Sequence, residues 1–317
     1  MRKQQNFAQP SITTTYAGEF AGKYIAAALL SAKTLDNQYI TIMPNVKFKS
    51  VIQKIAVDNI VVDATCNFET SGSVALTERI LEPKELQVNL ELCKQEFVDS
   101  WEALQLGYSA FDEIPKDFND FLISYVGGKV AQATEESIWR GATATNGQFG
   151  GIYTALSSSV VAGGTNAPVT SSVSGSITSA NVLTALDSLV NAIPNTVYGK
   201  EDVMIYVPTN VVKAYQQALS GGTAGANGWN NQMNVGEKPL NFQGIEMAFC
   251  PGLAASAMVA AQKSNLFFGT GLLSDYNEVR VLDMANLDGS QNYRIIMRYT
   301  AGTQYGIGSD IAIHKNY

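Results

Sequence analysis

The segment from Asp112 to Gly141 restricts the fold more than any other. Phe118, Phe121, Leu122, Tyr125, Val126, Val130 and Ala133 recur at three- and four-residue steps and predict one apolar helical stripe. Pro115 suits the first helical position, where its missing N–H costs nothing, and Asp117 and Asp120 sit where the helix dipole favours negative charge. Arg140 falls in the last turn and Gly141 acts as a stop. A helix over 115–140 would run roughly 38 Å, whereas about three or four turns is usual in globular domains. Gly127-Gly128 in its middle costs on the order of 1 kcal/mol per glycine relative to alanine and marks a place for a kink or a close contact. Taken alone, this is a long core helix. Its flanks decide what it is for.

Composition removes several function classes. Charged residues make up 15% of the 317 residues, against roughly 25% in soluble domains. Small and hydroxyl-bearing residues fill the gap. This predicts either a surface covered by neighbours or a neutral, hydroxyl-rich one. The net charge of −7 argues against general affinity for nucleic acid or anionic membranes. The one histidine, His314, nearly eliminates histidine triads and histidine metal sites. Cys66, Cys93 and Cys250 are odd in number and widely spaced, so free thiols are expected, not disulfides or zinc ligands. No apolar run has the length of a membrane span and no signal-like segment follows Met1. A soluble protein made in the cytoplasm, or released from there, is expected, with no membrane partner.

Met1 to Tyr16 reads as a polar arm and Ala17 to Lys33 as an amphipathic helix carrying Phe20, Ala21, Tyr24, Ile25, Ala28 and Leu29, ended near Asp36-Asn37. Such a helix has little of its own to pack on, so it should dock on the body of this chain or of another. Val46 and Phe48 alternate with lysines and predict the start of a strand. Roughly 55 to 92 reads as a two-stranded excursion with a polar tip at Thr70-Ser71-Gly72-Ser73, its second strand carrying Leu86, Val88, Leu90 and Leu92 on one face. A two-stranded ribbon is marginal alone in water and needs a surface to lie on. Ser157 to Ser176 is expected to be an exposed loop. From 179 to 220 the pattern is helix, buried strand (Val203 to Val207), helix, with Ser179 as the first cap. A Gly/Asn loop from Gly221 to Val235 holds Trp229. Strands are predicted at Ile245 to Phe249, Ala257 to Ala261, Leu266 to Gly269, Val279 to Asp283 and Tyr293 to Tyr299, with weak alternation from Gln304 to His314.

The search for chemistry is mostly negative. Phosphate-binding, dinucleotide and nucleophile-elbow glycine motifs are all missing. Asn286 to Gly289 resembles the middle of a calcium loop, but Met284 and Ile295 stand where acids are required, so it reads as a turn. Glu135-Glu136 reads as a solvated helix face, since adjacent helical positions point about 100° apart. Lys47, Lys49 and Lys54 are balanced by nearby acids. Trp101, Trp139 and Trp229 read as packing anchors. No catalytic, cofactor-binding or metal-binding residue is expected.

The order of elements carries more than any single residue. A polar arm with a helix precedes a long β excursion. The strand PKELQVNLELCKQEFVDSW (83–101) then leads into the long helix, followed by TSANVLTALDSLVNAIP, VMIYVPTNVVKAYQQAL and a run of strands containing SNLFFGTGLLSDYNEVRVLD. This order resembles the major capsid proteins of tailed bacteriophages, the Hong Kong ninety-seven type of shell fold. The resemblance implies an α+β chain with an N-terminal arm (1–35), a peripheral domain (36–56, 89–145 with its spine helix, and strands within 263–301), an extended β-hairpin loop (57–88) and an axial α/β domain (146–262, with a return at 302–317). It implies a structural subunit without catalysis. Hexamers and pentamers of it would form an icosahedral shell around double-stranded DNA, in a virion assembled in the bacterial host cytoplasm. Implied partners are further copies of itself, a portal, decoration or head–tail proteins, and a scaffold: the chain starts directly with the arm, so either a separate scaffolding protein exists or this chain is the form left after processing. The implied contacts between subunits are Phe20 and Tyr24 in the arm, Glu69, Gly72, Glu78 and Arg79 in the loop, and Trp229 near the capsomer axis. Competing readings are an encapsulin-like bacterial compartment, a soluble α/β enzyme or binding module built on 179–261, and a surface adhesin. The missing nucleophile motifs weigh against the enzyme, and the missing signal segment against the adhesin.

Overall fold

The computed structural model describes residues 32–46, 48–58, 61, 63, 73–93, 116–163, 166–171, 175–219, 240–271, 279–284, 289–290 and 292–315. After a single turn, α1 (Lys33–Asp36), the long helix α2 (Lys116–Arg140) begins one residue past Pro115 and continues unbroken through Gly127-Gly128. A Cβ at Gly128 would meet nothing within 4 Å, so no close contact requires that glycine. The buried face runs through Ile123, Val126, Val130, Thr134, Ser137 and Ile138. It is rotated from the expected stripe: Tyr125 is 58% exposed and Ala133 also faces out. The side chains of Phe118, Phe121 and Leu122 lie outside the described residues.

Two sheets build the body. In the first, β12 (Asn292–Tyr305) is the centre. Along one edge it pairs antiparallel with β4 (Lys84–Cys93), from Asn292↔Cys93 to Ala301↔Lys84. Along the other it pairs first with β11 (Val279–Asp283) and then with β10 (Leu266–Thr270). The parallel strand β1 (Thr41–Pro44) closes that side. The second sheet has the order β5 (Val169–Ser171), β13 (Ala312–His314), β9 (Met258–Gln262), β6 (Val203–Val207), β8 (Ile245–Phe249), β7 (Leu240–Phe242). Its two faces feed two cores, as strand alternation requires. Val203, Ile205 and Val207 join the helices α4 (Val182–Asn191) and α5 (Thr209–Leu219). Tyr206, Val259 and Ile313 point the other way, into a core shared with α2, α3 (Ile152–Ala162) and the first sheet.

The third sheet is the ribbon. Among the described residues β2 (Ser50–Asp58) and β3 (Ser73–Leu81) pair only with each other, from Ser50↔Leu81 to Asp58↔Ser73. The excursion is therefore shorter than its expected 55–92 span. Pro83, which has no N–H to continue a ladder, separates β3 from β4, and β4 belongs to the body through β12. Gly302 of β12 lies against that break, since a Cβ there would stand 2.8 Å from the Pro83 Cα.

Other expectations are corrected. No strand starts at Val46; Asn45 turns the chain with φ 62° and Phe48 is 84% exposed. The loop expected from Ser157 is helical to Ala162, because Leu156 is fully buried and Ser158 returns its hydroxyl to the Thr154 carbonyl at 2.8 Å. Asn181 takes the place expected of Ser179 at the start of α4, its Oδ1 accepting from the Thr178 N–H at 2.7 Å. Trp139 is the packing anchor expected of it, fully buried with its ring 5.1 Å from that of Tyr206. Trp101, Trp229 and Cys66 lie outside the described residues, as does the helix expected from Ala17 onwards, as far as Ser31.

Candidate functional site

The ribbon carries exposed apolar side chains, and its base is held by specific contacts. Strand alternation sends Glu78 and Arg79 to opposite faces. Arg79 turns inward, its guanidinium carbon 3.9 Å from the Tyr305 ring centroid. The Tyr305 hydroxyl hydrogen-bonds Ser159 Oγ on α3, and Gln304 Nε2 donates to the Ile80 carbonyl at 2.9 Å. Between ribbon and body lies a cleft of about 540 Å³ lined by Ile52, Arg79, Asn265, Phe267 and Ile307, with the exposed pair Gln53 and Glu78 also bordering it. Outward, Val51 and its cross-strand partner Ile80 are each 49% exposed, beside exposed Phe48. Gln53 and Glu78 form the next outward pair and are also exposed. The outer face is thus an apolar step followed by a polar one.

Of the assembly residues read from the sequence, Glu78 stands on this outer face and Arg79 is engaged by its own chain. Phe20, Tyr24, Glu69, Gly72 and Trp229 lie outside the described residues.

A second set of contacts holds the point where the arm meets the body. The Thr34 N–H donates to Glu135 Oε2 at 2.9 Å, the Thr34 hydroxyl donates to Glu135 Oε1 at 2.6 Å, and Trp139 Nε1 donates to Thr34 Oγ1 at 3.0 Å. All three residues are buried. Glu135 is therefore no solvated residue, whereas its neighbour Glu136 is exposed and pairs with Arg140. Sequence reasoning missed Glu135, although a signal existed: Ala131, Glu135 and Ile138 extend the four-and-three spacing of a buried stripe. Burial, then the Glu135 carboxylate, push the nearby Cys250 thiol well above its ordinary value. Gly252 packs on the Glu135 backbone so closely that a Cβ would overlap the carbonyl oxygen.

Chemistry has little footing elsewhere. Among the described residues no three His, Cys, Asp or Glu side chains cluster as metal ligands, and no helix is long and apolar enough to cross a membrane. His314 Nδ1 lies 3.2 Å from Ser171 Oγ, but both residues are buried, and His314 Nε2 has no hydrogen-bond partner among the described residues. A serine–histidine pair sealed in this way has no route for a substrate.

No protein-family model matches the sequence, and no curated protein is similar to it. Solved structures do match. A chain from the capsid of an empty GTA particle aligns over 100% of this chain and 95% of its own, with TM-score 0.62 and 12% identity. A chain from the capsid of Myoviridae phage XM1 aligns over 99% and 97%, with TM-score 0.55 and 11% identity. The chain has the phage capsid shell fold. A chain from the procapsid of satellite phage P4, a structure that includes the size determination protein, covers 92% of this chain and 98% of its own at TM-score 0.54 and 11% identity. The shell fold thus spans nearly the whole length on both sides of each comparison, so it accounts for ribbon, long helix and both sheets together. At these identities it carries the fold and no residue roles.

Proposed function

We propose that this chain is the major capsid protein of a tailed phage. Copies of it form hexameric and pentameric capsomers, and these close into an icosahedral shell around double-stranded DNA. The observation that carries this reading is the end-to-end likeness to capsid chains, at 12% and 11% sequence identity. The ribbon supports it: two strands paired only with each other, with Phe48, Val51 and Ile80 exposed, are poorly stable alone and gain from a neighbour's surface. Glu78 on that face, with Glu69 and Gly72 towards the tip and Trp229 near the capsomer axis, would then meet adjacent subunits.

The role is structural, without catalysis or a cofactor. The net charge of −7 suits a wall that holds DNA without gripping it; strong DNA retention by emptied shells at low salt would contradict this. A scaffolding protein, a portal and decoration or head–tail proteins are the further partners that suit this role. Assembly would take place in the cytoplasm of the bacterial host, and the protein would end in the virion.

Electron microscopy and analytical ultracentrifugation of the chain, made alone and with its candidate scaffold, test the proposal. Capsomers or closed hollow shells are the expected result. A compact monomer at all concentrations under both conditions would overturn it.

A further inference from the structure

The loop 141–151 joins α2 to α3, and its two ends are fastened to each other. The Gly151 N–H donates to the Gly141 carbonyl at 2.8 Å, and a Cβ at Gly151 would stand 2.6 Å from the Trp139 carbonyl oxygen. Beyond this neck nothing apolar anchors the chain. Thr143 to Gly147 are exposed without a break, all small or polar, and Gly147 turns with φ 76°. A crown of this kind, with few buried contacts, has little of its own to hold it in one shape.

Its carbonyls nevertheless converge. Those of Thr143, Thr145 and Gln148 all accept from the Lys84 ammonium, at 3.3, 3.4 and 2.9 Å. A lysine ammonium has three N–H donors and no acceptor, so this set engages its full capacity. Carbonyl oxygens turned towards one point repel each other unless a cation stands between them. The bonds inside the loop, from the Thr145 N–H to the Ala142 carbonyl (2.9 Å) and from the Gln148 N–H to the Thr145 carbonyl (3.3 Å), form turns but supply no such charge.

Lys84 comes from a distant part of the fold. It is the first residue of β4, half-buried, and stands opposite Ala301 of β12. Its ammonium therefore meets the loop where β4 lies along β12. The same strand β12 takes a second hold through Thr303, whose hydroxyl donates to the Gly150 carbonyl.

We infer that the crown of this loop takes its shape from β4: Lys84 is the cation that gathers the three carbonyls, so this exposed surface exists only while β4 is seated on β12. Lys84 is a positioning residue, and the carbonyls form a receptor for a primary ammonium that the chain fills from within. By linkage, a partner that grips the crown would stabilise the seating of β4, and one that lifts β4 would dissolve the crown. The inference concerns the single chain and stands apart from the capsid reading.

Amide hydrogen exchange of the full chain tests it. Lys84→Met keeps the reach of the side chain and removes the donors. Exchange at Ala142, Thr145 and Gln148 should quicken by about tenfold, while Gly151 at the neck and the amides of β4 and β6 stay as protected as in the parent. Unchanged exchange in the crown would overturn the inference, and so would equal loosening of crown, neck and β4. In Lys84→Ala the substitution removes Cγ to Nζ, the atoms of n-propylammonium. At about 0.1 M this ion should restore most of the lost protection and leave the parent unaffected, whereas tetramethylammonium, a cation without N–H donors, should restore none. Equal effects of the two salts, or none from either, would overturn the receptor.

Discussion

The Arg79 guanidinium lies 3.9 Å from the centre of the Tyr305 ring, and this stack ties the ribbon to the strand that organises the first sheet. A partly buried cation–π contact contributes about 1 kcal/mol. Arg79→Ala should therefore cost the monomer only about 2 °C in thermal midpoint. Its larger effect should be on the ribbon itself: amide exchange across Ser50–Leu81 should rise severalfold while β6 and β9 stay protected. Equal exchange in variant and parent would show that the ribbon does not depend on this stack.

Glu135 and Thr34 form a buried acceptor–donor set, with no ion pair to Glu135 among the described residues, so removing the donors is the damaging change. Thr34→Val withdraws the hydroxyl and leaves part of the Glu135 carboxylate unpaired in the interior. This should cost about 3 kcal/mol. Glu135→Gln keeps an oxygen for the Thr34 N–H and should cost about 1 kcal/mol. Urea denaturation should rank them in this order, and the reverse ranking would mean that Glu135 is bound chiefly through its charge.

His314 gives stability a defined pH dependence. Burial holds its imidazole below the ordinary value, and Nε2 has no acceptor for an added proton among the described residues. Below about pH 6.5 the unfolded chain binds a proton at this position that the folded chain refuses. The contribution is complete above about 6.5 and is lost as pH falls towards the lower folded value, at up to about 1.4 kcal/mol per pH unit. His314→Gln should remove this slope below about pH 6.5. Parallel curves for parent and variant would place the titration elsewhere.

Thiol labelling should separate two of the cysteines. Cys93 is half-buried, whereas Cys250 is sealed and its thiolate disfavoured by burial and by Glu135. In native buffer at pH 8, Cys93 should react with a maleimide at least tenfold faster than Cys250. Unfolding in guanidinium should make the two rates equal.

What could be read from the sequence follows from where the stabilising contacts lie. Val203 to Val207 and the α5 pattern were readable because burial repeats within a few residues of chain. β1 was not: four residues, Thr41–Pro44, form a strand only because β10 offers an edge, Thr41 meeting Phe267. α3 looks like a serine-rich loop until Leu156 is seen in the core and Ser159 on Tyr305. β4 carries the period of a half-buried strand, and its alternation says nothing of which partner it has, so ribbon and body could not be told apart across Pro83.

The site was read less completely for the same reason. Glu78 and Arg79 were both marked as contacts, but the register Ile52↔Arg79 decides which of the two turns inward, and nothing local to Glu78-Arg79 fixes that register. Thr34 and Glu135 are distant in the chain, and neither residue type alone predicts the other.

The placement of β13 has a consequence for synthesis. This strand, Ala312–His314, is the last described element, yet it sits between β5 and β9 in the interior of its sheet. Until the ribosome has delivered these residues, β5 has no partner and β9 presents an open edge. Long-range pairing of this kind is slow to form and comes late. A polypeptide cut short before Ala312 cannot complete the subunit, so translation products broken off early would be withheld from any assembly by their own unfinished sheet.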